Sequence, residues 1–261
     1  MARARRVKPD EQLTLVEHLD ELRSRIIVVL AVLTVGIAVC FYKSAAILNF
    51  LAAPLPSNTP GHPELPYKFL ATSPLDGILT SISIAIYSSL LLTMPIATYQ
   101  LYAFVIPAFA EQHHKHLKPL VMMIPALFVC GVIFGWYLVV PPAISFLVNY
   151  NTDAFNYQLR AKDYIQFVLL TLLAMGIVFE MPAVMLVLAR LRIMSSALMR
   201  RHWRISIVVL AVVAMLLPGV DPISFIVEFI PLLVLYGLSY FIVVAVERAR
   251  GADEPDPEPL T

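Results

Sequence analysis

Charge is scarce in this chain. Only 14% of its residues are Asp, Glu, Lys or Arg, while 59% are hydrophobic; soluble domains average about 25% charged and about 45–50% apolar. A soluble globular fold is therefore not expected. The apolar excess falls in segments long enough to cross a bilayer, at about 20 residues each. Cysteine is nearly absent as well. Cys40 and Cys130 both sit inside apolar runs, which leaves no disulfide framework and reads as two small buried hydrophobes. HExxH, GxSxG and Walker A patterns are missing, so neither an enzyme nor a cofactor is expected. The net charge of +1 gives no reason to expect a nucleic-acid partner. MARARR opens the chain, but charged and polar residues follow it, so a cleaved secretory signal is not expected.

What is present is six apolar segments, at 26–48, 75–104, 119–145, 163–189, 203–217 and 222–246. The fold class expected is an all-α polytopic membrane protein. The fifth segment reaches only about 20–25 Å at about 1.5 Å per residue, against about 30 Å of hydrocarbon. Lys and Arg are distributed unequally across the loops. Lys43, Lys68, Arg160 and Lys162 lie on one side and the other fifteen on the side of both termini. Both termini are thereby expected in the cytoplasm.

The loops divide by composition. Residues 52–73 carry Pro54, Pro56, Pro60, Pro63 and Pro66, which forbids a regular helix throughout and leaves room for a small ordered outer cap. The last outer loop is only Pro218-Gly219-Val220-Asp221-Pro222. A short fifth span joined by so tight a turn predicts a polar tip sunk below the outer surface, with local bilayer thinning. The expected organisation is an arm at 1–25, a six-span domain at 26–246 and a disordered tail at 247–261, Pro- and acid-rich from Gly251. No internal repeat of the transporter kind is visible.

The arm is the unusual part. Glu17-His18-Leu19-Asp20-Glu21-Leu22-Arg23-Ser24-Arg25 concentrates acids on a side where Lys and Arg dominate. On a helix, Leu15, Leu19, Leu22 and Ile26 form one stripe and Glu17, Asp20, Glu21 and Ser24 the opposite face. Thr14 and Glu17 have the spacing of a capping box. Such a helix would lie on the membrane or pack its leucines on the protein. The acidic face reads either as a solvated surface, with Glu21 and Arg25 pairing at i, i+4, or as a site for a cationic ligand. Glu17 and Glu21 repel at the same spacing, which stability alone would not select.

Ionisable groups inside the spans are costly, at roughly 2.5–3.5 kcal/mol each on insertion scales, and functional by default. Glu180 stands in Gly176-Ile177-Val178-Phe179-Glu180-Met181-Pro182. It reads as a docking site for a polar residue of a partner helix, or as local compensation for the backbone carbonyl that Pro182 frees. Glu228 lies nearer the outer surface. Pro95 should kink the second span, and Tyr99 and Gln100 follow it at the inner end. His113, His114 and His116 are close together, yet no carboxylate or thiol completes a metal site there.

These pieces together resemble the TatC family, the multi-span subunit of the twin-arginine protein translocase. The match runs over nearly the whole chain. It comprises the arm His18 to Arg25, Ala53-Pro54-Leu55 after span one, and Pro95, Tyr99, Gln100, Ala103, Phe104, Pro107 and Ala108 in the spacing PxxxYQxxAFxxPA. Phe179-Glu180-Met181-Pro182, then Asp221-Pro222 followed by Pro231, complete it.

The resemblance implies a receptor that binds twin-arginine signal peptides of folded proteins. Six helices would form a curved, glove-like body in the lipid. Single-span TatA and TatB partners would assemble on it, and the proton-motive force would drive export. Carried over by position, Glu21 matches the arm glutamate of the signal site, with Glu17, Asp20 and Arg23 beside it. Glu180 matches the family's intramembrane glutamate, and Asp221 the acid of the last outer turn. Phe104 and Pro54 match sensitive positions; Gln100 and Glu228 join the intramembrane set. One departure stands out. The family commonly has a second acid where His113 stands, so either Glu111 replaces it or the site leans on the arm. The competing class is an ion or solute transporter using Glu180 and Glu228, although no Lys or Arg faces them within the spans.

Overall fold

The computed structural model describes residues 15–55, 58–59, 62–66, 69–109, 118–150, 159–190, 193–218 and 222–253. Five helical stretches are long and apolar enough to cross a membrane: His18–Tyr42, Asp76–Phe104, Met123–Asn149, Ala161–Arg190 and Pro222–Arg248. The sixth, α9 (Trp203–Leu216), has 14 residues and so spans only about 21 Å. The six-span all-α architecture expected from the sequence is present, short fifth span included.

Helix α1 (Leu15–Tyr42) joins the arm and the first span into one rod. No Gly or Pro interrupts Leu15 to Ile26, and Leu, Glu and Arg favour helix, so nothing ends the helix where the apolar run begins. This corrects the expected leucine packing face. Leu19 is 63% exposed and Ile26 48%. His18, Leu22, Arg25, Gly36 and Cys40 share one face at about 3.6 residues per turn, and all five are buried or half-buried. Lower down, that face meets α3: Gly36 lies directly against Ser89, whose hydroxyl donates to the Leu33 carbonyl at 2.9 Å. Because the arm continues into the span, this packing sets its rotation: Leu19 and Ile26 turn outward as Leu30 and Val35 do, while Leu22 stays half-buried.

A turn at Lys43 leads into α2 (Ser44–Leu51). The proline-rich loop holds an antiparallel hairpin, β1 (Asn58–Thr59) and β2 (His62–Pro66). Leu70 N–H donates to the Leu159 carbonyl at 3.0 Å, and Tyr164 Oη donates to the Leu51 carbonyl at 2.7 Å. Helix α3 (Asp76–Phe109) runs without a break past Pro95, where the Thr98 hydroxyl donates to the Pro95 carbonyl at 3.2 Å.

The third span is α4 (Lys118–Phe134), a π-helical turn at Gly135–Val139, and α5 (Val140–Asn149). Pro141 and Pro142 lack N–H groups and crowd the carbonyls four residues back, which widens the helix there. The fourth span is α6 (Ala161–Phe179) and α7 (Met181–Arg190), parted by a turn at Glu180. Two glycines let α4 and α6 touch. A Cβ on Gly131 would lie 2.5 Å from the Met175 carbonyl oxygen, and one on Gly176 2.5 Å from the Phe128 ring. Leu51, Ile84, Val140, Ile144, Tyr164 and Val168 form the main core. Tyr102, Ile124, Ala183 and Val187 form another nearer the arm end. Apolar residues such as Val39, Leu92, Val212 and Phe241 remain exposed, as lipid contact requires.

After α8 (Ser196–Arg201) and α9, helix α10 runs from Pro222 to Asp253. The expected boundary at 246 is therefore too early. Glu247 accepts a hydrogen bond from the Ser196 N–H at 2.8 Å, which caps α8 and holds the end of α10 against it. The rest of the expected tail lies outside the described residues.

Candidate functional site

Polar groups gather where the arm crosses the C-terminal end of α3. Arg25 stands one turn beyond Glu21, the spacing that brings side chains together on a helix. Its Nε donates to Glu21 Oε1 at 3.1 Å, and its Nη2 donates to the same oxygen. The guanidinium then reaches across to α3. Nη1 donates to Gln100 Oε1 at 2.9 Å and Nη2 to the Ala103 carbonyl at 3.2 Å. The ion pair is partly shielded, with 22% of the Arg25 and 31% of the Glu21 side chain exposed. Two turns earlier, the His18 ring stacks on Phe104, centroids 4.1 Å apart and planes 13° apart.

Of the predicted arm residues, Glu21 and Phe104 lie in this junction. Asp20 and Arg23 are exposed, on the solvent side of the same turn. Gln100, grouped by sequence with the intramembrane residues, belongs here instead. The side chain of Glu17, and Glu111 and His113 altogether, lie outside the described residues. Sequence reasoning missed His18 and the Ala103 carbonyl as members. Their signal was the i, i+3 spacing of His18 to Glu21 and of Ala103 to Gln100, along two helices whose contact is tertiary.

A second polar point lies deeper. Glu180 is 7% exposed in the turn between α6 and α7. Pro182 accounts for the break: it cannot donate to a carbonyl one turn back, so α7 starts afresh. The Glu180 N–H donates to the Ile177 carbonyl at 3.1 Å, and its own carbonyl accepts from Val184 at 3.0 Å. Its side chain faces α3, where the Thr98 hydroxyl is within hydrogen-bonding reach and Tyr102 stands close by. Its Oε1 meets no hydrogen-bond partner among the described residues. Gln100 and Glu180 therefore belong to different clusters, although both contact α3.

The Thr171 hydroxyl donates to the Pro218 carbonyl at 3.4 Å. Thr171 is ten residues into α6, about 15 Å from its start, so Pro218, just after α9, sits well inside that end of the helix. Glu228 is fully buried in α10. Asp221 lies outside the described residues. Pro54 is half-buried in the turn after α2, where Leu55 N–H donates to the Ala52 carbonyl at 3.0 Å. No cluster of His, Cys, Asp and Glu suited to a metal occurs among the described residues; His113, His114 and His116 fall outside them.

Comparison with known proteins gives a consistent result. Residues 17–231 match the family model for the Sec-independent protein translocase protein TatC. The TatC protein of Synechocystis sp. is 33% identical over 219 residues, covering 84% of this chain and 83% of its own length. An uncharacterised tatC-like protein, ycf43, of Gracilaria tenuistipitata is 30% identical over 245 residues, covering 94% and 99%. Among solved structures, a crystal structure of the twin-arginine translocase receptor TatC superposes with a TM-score of 0.74 at 28% identity, covering 89% of this chain and all of that one.

Proposed function

The chain belongs to the TatC family of Sec-independent protein translocase proteins, and from that premise we propose that it is the receptor and core subunit of a twin-arginine translocase. It binds the paired arginines of signal peptides on folded cargo at the junction of the arm and α3. It lies in a bacterial cytoplasmic membrane with both termini in the cytoplasm. TatA and TatB family single-span proteins assemble on it, and the proton-motive force drives export.

The observation that carries this reading is the guanidinium already seated at the junction. Glu21, the Gln100 amide oxygen and the Ala103 carbonyl hold Arg25 through four hydrogen bonds. A constellation of acceptors that fits one planar fork can fit another. A lysine ammonium cannot reproduce that geometry, which accounts for a demand for arginine rather than for positive charge. Exposed ion pairs contribute only about 0.2–1 kcal/mol, so the apolar part of the signal has to add further binding.

Glu180 supports the partner half of the reading. Its Oε1, unpartnered among the described residues, is enclosed by the protein, so a polar side chain of an arriving helix would reach it by parting the α6–α7 turn from α3, and the hydrogen bond would then form away from water.

The test is made in a cell that normally produces the protein. Deleting its gene should strand twin-arginine precursors in the cytoplasm, and the intact gene should restore their export. Unchanged export in the deletion strain, with no second copy of the gene, would overturn the proposal.

A further inference from the structure

We propose that Arg25 is a resident occupant of the arginine site, which an incoming arginine must displace. This inference rests on the receptor reading above. It adds that the chain carries its own competitor, which sets a threshold that a weakly bound cation does not clear.

The geometry supports it in three ways. First, Arg25 engages Glu21, Gln100 and the Ala103 carbonyl together, so the acceptors on two helices converge on a single guanidinium. Second, the bonds are asymmetric. Both of its contacts with Glu21 fall on Oε1, so Arg25 leaves the second carboxylate oxygen as a foothold where an arriving arginine can begin. Third, the site is only partly shielded. The displaced Arg25 side chain can swing into water, where its charge is well solvated and costs little.

Neutralisation is the consequence. With Arg25 in place, the Glu21 charge is balanced, and a simple cation gains little by approaching. Only a group able to take over several acceptors at once can exchange with it. A guanidinium does so through a like-for-like set of bonds. An ammonium loses the fork and the bridge from α1 to α3. Displacing Arg25 costs the same whichever ligand arrives, so the resident acts as a threshold: a guanidinium, with more bonds to gain, clears it and an ammonium does not.

The test uses the full chain purified in detergent and two labelled peptides, a twin-arginine signal peptide and its twin-lysine counterpart. Affinities are measured for the native chain, Arg25→Gln and Arg25→Lys. Arg25→Gln should bind the twin-arginine peptide about three- to tenfold tighter, the range expected when a partly exposed charge pair no longer has to be broken. It should bind the twin-lysine peptide tighter by a similar factor, because the displacement cost removed is common to both ligands. Arg25→Lys keeps the charge without the fork and should fall between, which also covers the case in which the glutamine variant does not fold. Equal or weaker binding of the twin-arginine peptide by both variants overturns the displacement idea and makes Arg25 a strut or a part of the site. A native chain that binds both peptides alike overturns the receptor reading instead, whatever the variants do.

Discussion

Replacing Glu21 with glutamine separates recognition from folding. The substitution keeps the shape of the side chain and one acceptor oxygen but removes the charge. In the empty protein, Arg25 loses an ion pair of which 22% and 31% of the two side chains are exposed. Its hydrogen bonds to Gln100 and the Ala103 carbonyl survive. The loss of stability is then about 0.5–1 kcal/mol, close to the range for exposed pairs, or about 1–4 °C in Tm for a chain of this size. A bound signal arginine loses more. A hydrogen bond to a charged group contributes about 1.5–3 kcal/mol, and about 1 kcal/mol of that is offset because Arg25 was also weakened in the empty state. The net is about 0.5–2 kcal/mol, or two- to thirtyfold in Kd with a centre near tenfold. The assay is fluorescence anisotropy of a labelled twin-arginine peptide on the purified full chain, at one fixed salt concentration, beside a thermal melt. Unchanged peptide affinity would refute the reasoning. So would a fall in Tm of about 8 °C or more with a parallel loss of binding, which would make Glu21 a structural strut.

Three further outcomes follow from other parts of the molecule. Glu180→Ala should lower co-purification of single-span partners about three- to tenfold, near the value of an interhelical hydrogen bond, whereas Glu180→Gln should retain most of it; intact association and export in Glu180→Ala would leave the α6–α7 break as the residue's only role. Gly131→Ala should destabilise the chain by about 1–3 kcal/mol in a thermal melt, because its Cβ meets the Met175 carbonyl oxygen at 2.5 Å and a backbone atom cannot move aside cheaply; an unchanged melt would show that α4 and α6 are free to separate. In the inner loop, Glu111→Gln should weaken twin-arginine binding more than His113→Ala in the same anisotropy assay, and the reverse order would reject Glu111 as the substitute acid.

The membrane spans were readable because their cause is local. Hydrocarbon demands about 20 apolar residues in a row, and the six runs show this without knowledge of any neighbour. The short α9 was readable for the same reason. The breaks were partly so: Pro182 marks the turn at Glu180, and Pro141 and Pro142 mark the π-helical turn before α5. Pro95 shows the limit of that rule, since α3 passes it unbroken.

Which way each helix faces was not readable. The leucine stripe of the arm obeyed the helical period, yet Leu19 and Ile26 turn outward. In lipid both the interior and the surroundings are apolar, so a hydrophobic stripe no longer tells inside from outside. Packing decides instead, here through the close fit of Gly36 and Ser89 between α1 and α3.

By itself, then, the sequence determined that the chain is a six-span membrane protein of the TatC kind, with an acidic arm set against a basic inner side. The pairing of Glu21 with Arg25 was one of the two readings its i, i+4 spacing offered; tertiary structure alone decided that Gln100 and the Ala103 carbonyl complete the same cluster and that His18 stacks on Phe104. The physical reason is distance along the chain. Arg25 and Gln100 are 75 residues apart, and no period within either helix carries information about which face of the other it will meet.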